Sequence, residues 1–457
     1  MTPFEKIRNI EAKYSIDKLK YKDVNYWPLF RAVILNEILY GENKGILTKP
    51  ISVLSKLKSA FFGFPNWFKK VEYIAFSNEL ERKEIEGKTI DKLLEKTITN
   101  LGYKKVLYIE NCSNHLNKKK YGNKQVCSWN LILFLIGIVS VFTKRIRRKF
   151  EGYDVLEKLS SDEEITTNLK IKFFEFQAKV FVLKIFFKMY KPKCIFITDY
   201  GYYPMTYAAK KLGIKVVEFQ HGVIGKVHPY YHPVKKLNSD FCPDYLFVFG
   251  DHDKNCLQSG NYVDQKNIIP IGNFYLEYIV KKDKHSRILK LIKPYNKSIC
   301  IPTDHVTQQD ILIFISKAAT KLPDVIFIIV PREYKAFEVL LDTINLENIY
   351  VEKELSFQET VRHCYYHSCS ISTCSLEALS LGVPNILIDE DGNTSSYYGE
   401  LLNNPKTTKF AKSVNEYIKF VQNFVKPEKQ KIIDSNSINY KANYSKNLDS
   451  ALKFLYK

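Results

Sequence analysis

No Cys-x-x-Cys pair occurs among the nine cysteines of this chain, and their number is odd. Several, such as Cys194 and Cys300, lie inside apolar, strand-like runs. They read as reduced core residues of a cytoplasmic protein, not as a disulfide frame. Cys364, Cys369 and Cys374 recur at every fifth position, a spacing that fits no common metal site. An apolar leader is also missing: the N-terminus, MTPFEKIRNIEAKY, is charged and is no signal peptide. No apolar run reaches the roughly 20 residues of a membrane span. The longest, Trp129 to Phe142, is followed at once by the basic run Lys144 to Lys149. Two readings follow: a buried helix with a solvated end, or a patch that dips into one face of a bilayer with its cations on lipid headgroups. Helix-turn-helix, RNP and zinc-finger spacings are absent, as is a long basic arm, which argues against nucleic acid. Yet the formal net charge is +20, from 69 basic and 49 acidic residues. That charge calls for an anionic partner, either a phosphorylated substrate or an anionic membrane surface at which the protein would sit peripherally.

What is present is a core-forming chain of 457 residues, 45% of them hydrophobic, long enough for two or three domains. The clearest unit runs from Pro192 to Pro233. Cys194 to Thr198 is a short β-rich run, Met205 to Leu212 is helical, Gly213 stops the helix, and Lys215 to Phe219 is a second apolar run. In open α/β sheets ligands bind beyond the carboxyl ends of the strands. There the first strand delivers Asp199 and the second delivers Gln220 and His221.

Around this unit the chain alternates strands and helices twice. An N-terminal helical segment covers 1–70, with Trp27, Phe30, Val33, Ile34 and Ile38 sharing one face. Residues 71–280 read as one Rossmann-like domain, beginning with the strand Val71–Phe76. A charged loop spans Ser77 to Lys88, residues 113–170 are irregular, and Glu277 to about Pro294 reads as a connector. A second Rossmann-like domain covers 295–425, with strands at Ser298–Ile301, Val325–Val330, Asn348–Val351, Cys369–Ser372 and Asn385–Ile388. A helical tail, 426–457, closes the chain. The fold class is therefore α/β, two Rossmann-like domains facing across a cleft, with extra N-terminal helices.

In the second domain, Ser372 to Pro384 puts hydroxyls at a strand end and a helix start, where free N–H groups suit a phosphate. Thr373 and Ser375 add donors, Ser375 also serves as an N-cap, and Glu377 can accept from a sugar hydroxyl. Asp304 and His305 follow the first strand of that domain, where they are candidate contacts to a donor phosphate. Two D-x-D patterns, Asp251–Asp253 and Asp389–Asp391, match a divalent-metal diphosphate site only in spacing. We expect no metal and no other cofactor.

The stretch SxxSxEALxxGVPxxxID resembles the donor-binding motif of glycosyltransferases with the GT-B fold. The upstream VVEFQHG, and DYLFVFGDHDKNCLQSGNYVDQKNIIPIGN over Asp244–Asn273, are similar to bacterial capsule and lipopolysaccharide sugar transferases, polysialyltransferases and teichoic acid glycerophosphotransferases. The resemblance covers about residues 190–390. It implies a nucleotide-sugar donor on the C-terminal domain and a glycan or lipid-linked acceptor on the N-terminal one. It makes His221 a general base or a donor-phosphate contact, with Asp199 the competing base and Gly222 letting backbone approach the donor. His228, Tyr230 and His232 join Gln220 on the acceptor side. His228-Pro229 and His232-Pro233 resemble the His-Pro pairs of sialyltransferases, which lie in the other domain. The corresponding strand end here holds Arg332, which would pair with donor phosphate. Glycerophosphate transfer, sugar-nucleotide epimerisation and a non-catalytic role in glycan or membrane assembly remain the alternatives.

Overall fold

The computed structural model describes residues 2–41, 59–78, 81–85, 87–111, 118–143, 151–281, 286–303, 308–332, 334, 337–338 and 346–456. They form two compact units, Met1–Gly272 with Asn443–Lys457, and Asn273–Ala442.

The first unit is built on seven strands: β1 (Tyr73–Asn78), β2 (Val106–Asn111), β3 (Gln125–Ser128), β4 (Cys194–Ile197), β5 (Lys215–Phe219), β6 (Tyr245–Val248) and β7 (Ile268–Pro270). All pairings are parallel, in the order β7-β6-β5-β4-β1-β2-β3. Such strands are covered on both faces and so read as continuous apolar runs. Cys194 to Ile197 is buried throughout, and β5 is buried after Lys215. Chain order reverses between β1 and β4, which makes their carboxyl ends the switch point where a crevice forms.

The N-terminal helices are not a separate body. Pro3–Lys13 and Trp27–Tyr40 share one core with the sheet, where Trp27, Phe30 and Ile34 join Ile74, Ile195 and Val216. Leu29 and Leu35 are buried too, so the second helix is covered nearly all round rather than on one face. The stretch read as the loop Ser77–Lys88 instead enters a hairpin, Arg82–Ile85 paired with Lys88–Asp91. The region read as irregular contains β3 and the helices Asn130–Thr143 and Tyr153–Asp162. Among the described residues no helix is long and apolar enough to cross a membrane.

The second unit carries six parallel strands: β8 (Lys297–Thr303), β9 (Val325–Pro331), β10 (Ile349–Val351), β11 (Tyr366–His367), β12 (Asn385–Ile388) and β13 (Thr408–Ala411). Their order is β10-β9-β8-β11-β12-β13, with the switch point between β8 and β11. Its own core packs Ile299, Phe327 and Ile386 against Phe314, Ile315 and Tyr417. The connector is helical at Phe274–Lys281 and Ser286–Ile292. The strand expected at Cys369–Ser372 ends earlier. Cys369 O still accepts from the Ile388 N–H at 2.9 Å, after which the chain leaves the sheet for the next helix. The C-terminal stretch divides. Lys429–Ser435 lies in the second unit, whereas Tyr444–Ala451 joins the first. There Phe454 stacks on Tyr245 at 4.2 Å between ring centroids, and Asn100 Nδ2 donates to Asp449 Oδ1 at 2.6 Å.

Candidate active site

Strands β4 and β5 are in register with Ile197 opposite Glu218, so Asp199 and Gln220 leave the sheet side by side. His221 follows, half-buried, with the ring of Tyr200 at 5.7 Å. Its Nδ1 is buried and takes no hydrogen bond among the described residues, and neither does Thr198 Oγ1 at the end of β4. Buried polar atoms are nearly always paired, so two orphans at neighbouring strand ends point to a place where a ligand group or water binds. Asp199 is half-buried and accepts from the Gly201 N–H at 2.6 Å, which caps the short turn after β4. One carboxylate oxygen is thus engaged locally.

Gly222 has open space where a side chain would be, and its φ lies outside the left-handed region. Neither backbone geometry nor a neighbour in the chain requires glycine there.

The remaining residues expected on the acceptor side mostly hold the loop up. Gln220 is buried, and its amide is saturated. Nε2 donates to Gly222 O and to Asp253 Oδ2, both at 2.7 Å, while Oε1 accepts from the Phe249 N–H at 2.6 Å. It supports the loop from beneath and offers no group to an acceptor. Tyr230 is buried as well, stacked on Tyr200 at 3.8 Å with its hydroxyl donating to Asn36 Oδ1 at 2.8 Å. His232 Nε2 lies 2.7 Å from Gly225 O, which makes it the donor, and burial holds its pKa below the ordinary value. His228 packs on Tyr200 and Tyr231, and burial, reinforced by the nearby His221, pushes its pKa down to about 3. It is neutral at any physiological pH.

Three supports of this loop were not legible as such in the sequence, where Asp253 stood only as part of a D-x-D pattern. Asp253, buried in the Asp251–Cys256 helix, accepts from Gln220 and from the N–H groups of Ile224 and Gly225 at 3.2 and 3.3 Å. Burial raises its pKa. Glu11 and Arg31 form a buried ion pair at 2.8 Å. Arg31 also donates to Tyr230 O and Pro229 O, and Glu11 Oε2 accepts from the Val234 N–H. The N-terminal helices therefore fix the His228–His232 loop. Third, Glu218 is fully buried on β5 and accepts from Tyr231 and Tyr262 at 2.7 and 2.5 Å. Burial, aided by the charge of Asp199, lifts its pKa to about 7 despite the two hydroxyl bonds. An acidic residue inside an apolar run, as in Val216-Val217-Glu218-Phe219, was the signal available for it.

In the second unit the strand ends again gather polar groups. Thr303 Oγ1, His367 Nε2 and Asp389 Oδ2 are buried without a hydrogen-bond partner among the described residues, at the ends of β8, β11 and β12. Burial pushes His367 down to about 4, while its Nδ1 pairs with Asn385 Oδ1 at 2.8 Å. Arg332 is exposed just past β9, its N–H donating to Thr303 O at 3.1 Å. The helix after β11 runs from Cys374 to Ser380, so Thr373 takes the cap position and Ser375 does not. Ser375 is buried, its hydroxyl donating to Ser372 O at 2.8 Å; it braces the turn and is no ligand donor. Thr373 and Glu377 are half-buried, and Glu377 accepts from Gln358 Nε2 at 2.5 Å. Asp304 and His305 lie outside the described residues.

Two doubly wound, all-parallel domains in one chain, each with its polar residues at the carboxyl ends of the strands, define the GT-B fold. The chain is similar to a protein from Listeria monocytogenes described as a candidate UDP-N-acetylglucosamine 2-epimerase. The TM-score is 0.53 at 12% identity, over 85% of this chain and 97% of that one. It is similar in the same degree to S. aureus MnaA with UDP, with TM-score 0.51, 12% identity, and 85% and 97% coverage. A third likeness is to the Neisseria meningitidis UDP-GlcNAc 2-epimerase bound to UDP-GlcNAc, with TM-score 0.50, 15% identity, and 84% and 99% coverage. At such identities the likeness is one of fold. No protein-family model matches the chain, and no curated protein matches it.

Proposed function

We propose that this chain is a nucleotide-sugar enzyme that transfers a sugar from a nucleotide donor to a hydroxyl of a growing surface polysaccharide or lipid-linked glycan. The observation that carries this reading is His221. It stands half-buried just past the end of β5, its Nδ1 without a hydrogen-bond partner among the described residues, one strand over from Asp199 and next in the chain to Gly222. An attacking hydroxyl must lose a proton, and an imidazole at such a strand end is placed to take it. Asp199, with one oxygen tied to Gly201, is the competing base. The donor belongs to the second unit, with Arg332, Thr373 and Glu377 as its polar contacts and Arg332 opposing phosphate charge.

The reaction is read as metal-independent. Asp253, the buried member of one D-x-D pattern, is spent on Gln220 and two backbone N–H groups, and Asp391 of the other accepts from the Asn393 N–H and amide. EDTA should leave turnover unchanged, and a loss restored by Mg²⁺ or Mn²⁺ would reverse that view.

A second reading, epimerisation of the sugar while it is attached to the nucleotide, is favoured by the likeness of fold to UDP-GlcNAc 2-epimerases. It needs no acceptor. The two separate cleanly when the protein is incubated with a panel of UDP-sugars. Transfer releases UDP only when a glycan acceptor is added, whereas epimerisation converts the sugar without one. Under the transfer reading, His221→Ala lowers kcat/KM by about 10²–10⁴-fold. Full activity in that variant would remove the assigned role.

A further inference from the structure

The Asn130–Thr143 helix buries Ile132 and Ile136, yet its outward face is also apolar. Leu133, Phe134, Leu135, Ile138 and Val141 are all exposed there, Phe134 by 51%. The Leu169–Tyr190 helix packs against it and repeats the pattern with Phe181, Ile185 and Met189 exposed at intervals of about one turn. A third element lies beside both. In the segment Phe61–Phe68, Asn66 Nδ2 donates to Val126 O at 2.9 Å just before the first helix. Trp67 packs on Phe186 of the second helix at 5.5 Å between ring centroids. Its Phe61, Phe64 and Phe68 point outward, Phe68 by 76%. Exposed apolar side chains in this number on three neighbouring elements are unusual on a protein that meets only water.

We propose that this three-element face is a docking surface for an anionic lipid bilayer, lying in one leaflet without spanning it. The helix of 14 residues would be about 21 Å long, short of the roughly 30 Å hydrocarbon core. Charge selects the occupant. Lys69, Lys70, Lys188 and Lys191 are exposed beside the phenylalanines. In the sequence, Lys144, Arg145, Arg147, Arg148 and Lys149 follow the first helix directly. A second copy would bring like charges together around the apolar contact, whereas anionic headgroups complement them.

Flotation of the full chain with vesicles tests this. Vesicles of phosphatidylcholine with 30% phosphatidylglycerol should carry the protein up, with binding weakened by salt, and pure phosphatidylcholine much less so. Phe134→Ser with Ile138→Ser should lower partitioning by about tenfold or more. Lys69→Glu with Lys70→Glu should abolish the preference for the anionic lipid. Both pairs are surface changes, so an unaltered melting temperature checks that the fold is kept. In Phe134→Trp the added fluorescence should be quenched by lipids with brominated acyl chains. The proposal is overturned if neither vesicle binds, or if the Phe134/Ile138 variant floats like the wild type. It is equally overturned if light scattering reveals a dimer that this variant dissociates, since the face would then be a subunit interface. Lipid binding is read without turnover, so the result is independent of the reading as a sugar transferase.

Discussion

Glu218 has no exposed surface, and burial raises its pKa from 4.5 to about 7. Between those values the native state holds a proton that the unfolded chain has released. The contribution of Glu218 to stability is therefore whole below about pH 4.5 and lost as the pH rises through about 7. Glu218→Gln keeps the shape and removes the loss. Measured by urea unfolding, the variant should gain on the wild type between pH 5 and pH 8, by up to about 3 kcal/mol. An equal difference at both pH values would mean that Glu218 is not shifted. His228 and His367 act in the opposite sense. Their pKa values are depressed from 6.5 to about 3 and about 4, so the stability they carry is present above 6.5 and lost as the pH falls through those values. Gly222 offers a different test. With open space around it and no left-handed φ, Gly222→Ala should change stability by less than about 0.5 kcal/mol. If substrate approaches the backbone there, kcat/KM should fall by about tenfold, and normal kinetics would remove Gly222 from the site.

At the scale of elements, the loop after β5 is held from two sides. Asp253 ties residues 220–225 from the Asp251–Cys256 helix, and the Glu11–Arg31 pair ties residues 229–234 from the N-terminal helices. Breaking one partner of a buried pair strands the other charge. Arg31→Met should cost about 3–5 kcal/mol, and adding Glu11→Gln to it should recover part of that loss. Asp253→Ala leaves one N–H of the Gln220 amide and two backbone N–H groups without their partner, at about 1–3 kcal/mol for each group that stays unsatisfied. Thermal unfolding checks both, and a cost below about 1 kcal/mol in either would show that the loop is held by packing instead. These supports were hard to read in advance because Glu11, Arg31 and Asp253 sit in charged, helix-like stretches. In sequence such residues look solvated, and only tertiary packing buries them.

At the scale of the whole molecule, the chain leaves the first unit at Gly272 and returns to it at Asn443. The returning segment is anchored, not trailing. Leu448 and Tyr444 are buried, the Tyr444 hydroxyl donates to Leu93 O at 3.3 Å, and Asn447 Nδ2 donates to Ile271 O at 3.3 Å. Ending the chain at Ala442 should therefore lower the melting temperature of the first unit. Leu448→Ala alone should cost about 2–5 kcal/mol. An unchanged melting temperature in the shortened chain would show that the segment contributes nothing.

Parallel strands covered on both faces must be continuously apolar, and that local rule made β1, β4, β5, β6, β9 and β12 legible in the sequence, together with the two Rossmann-like halves. The strand ends that precede Asp199 and His221 followed from the same rule. Strand β13, Thr408–Ala411, and the short β3, Gln125–Ser128, escaped it, because each edge strand carries only two apolar side chains. Which polar side chains face outward was decided by tertiary structure alone. Gln220, Tyr230 and Ser375 carry chemistry-bearing groups in sequence, yet each is buried with hydrogen bonds to its own chain. Hydrogen-bond saturation is a property of neighbours distant in sequence. It removed these three from the candidate site and left His221, Asp199 and Gly222 at the end of the sheet.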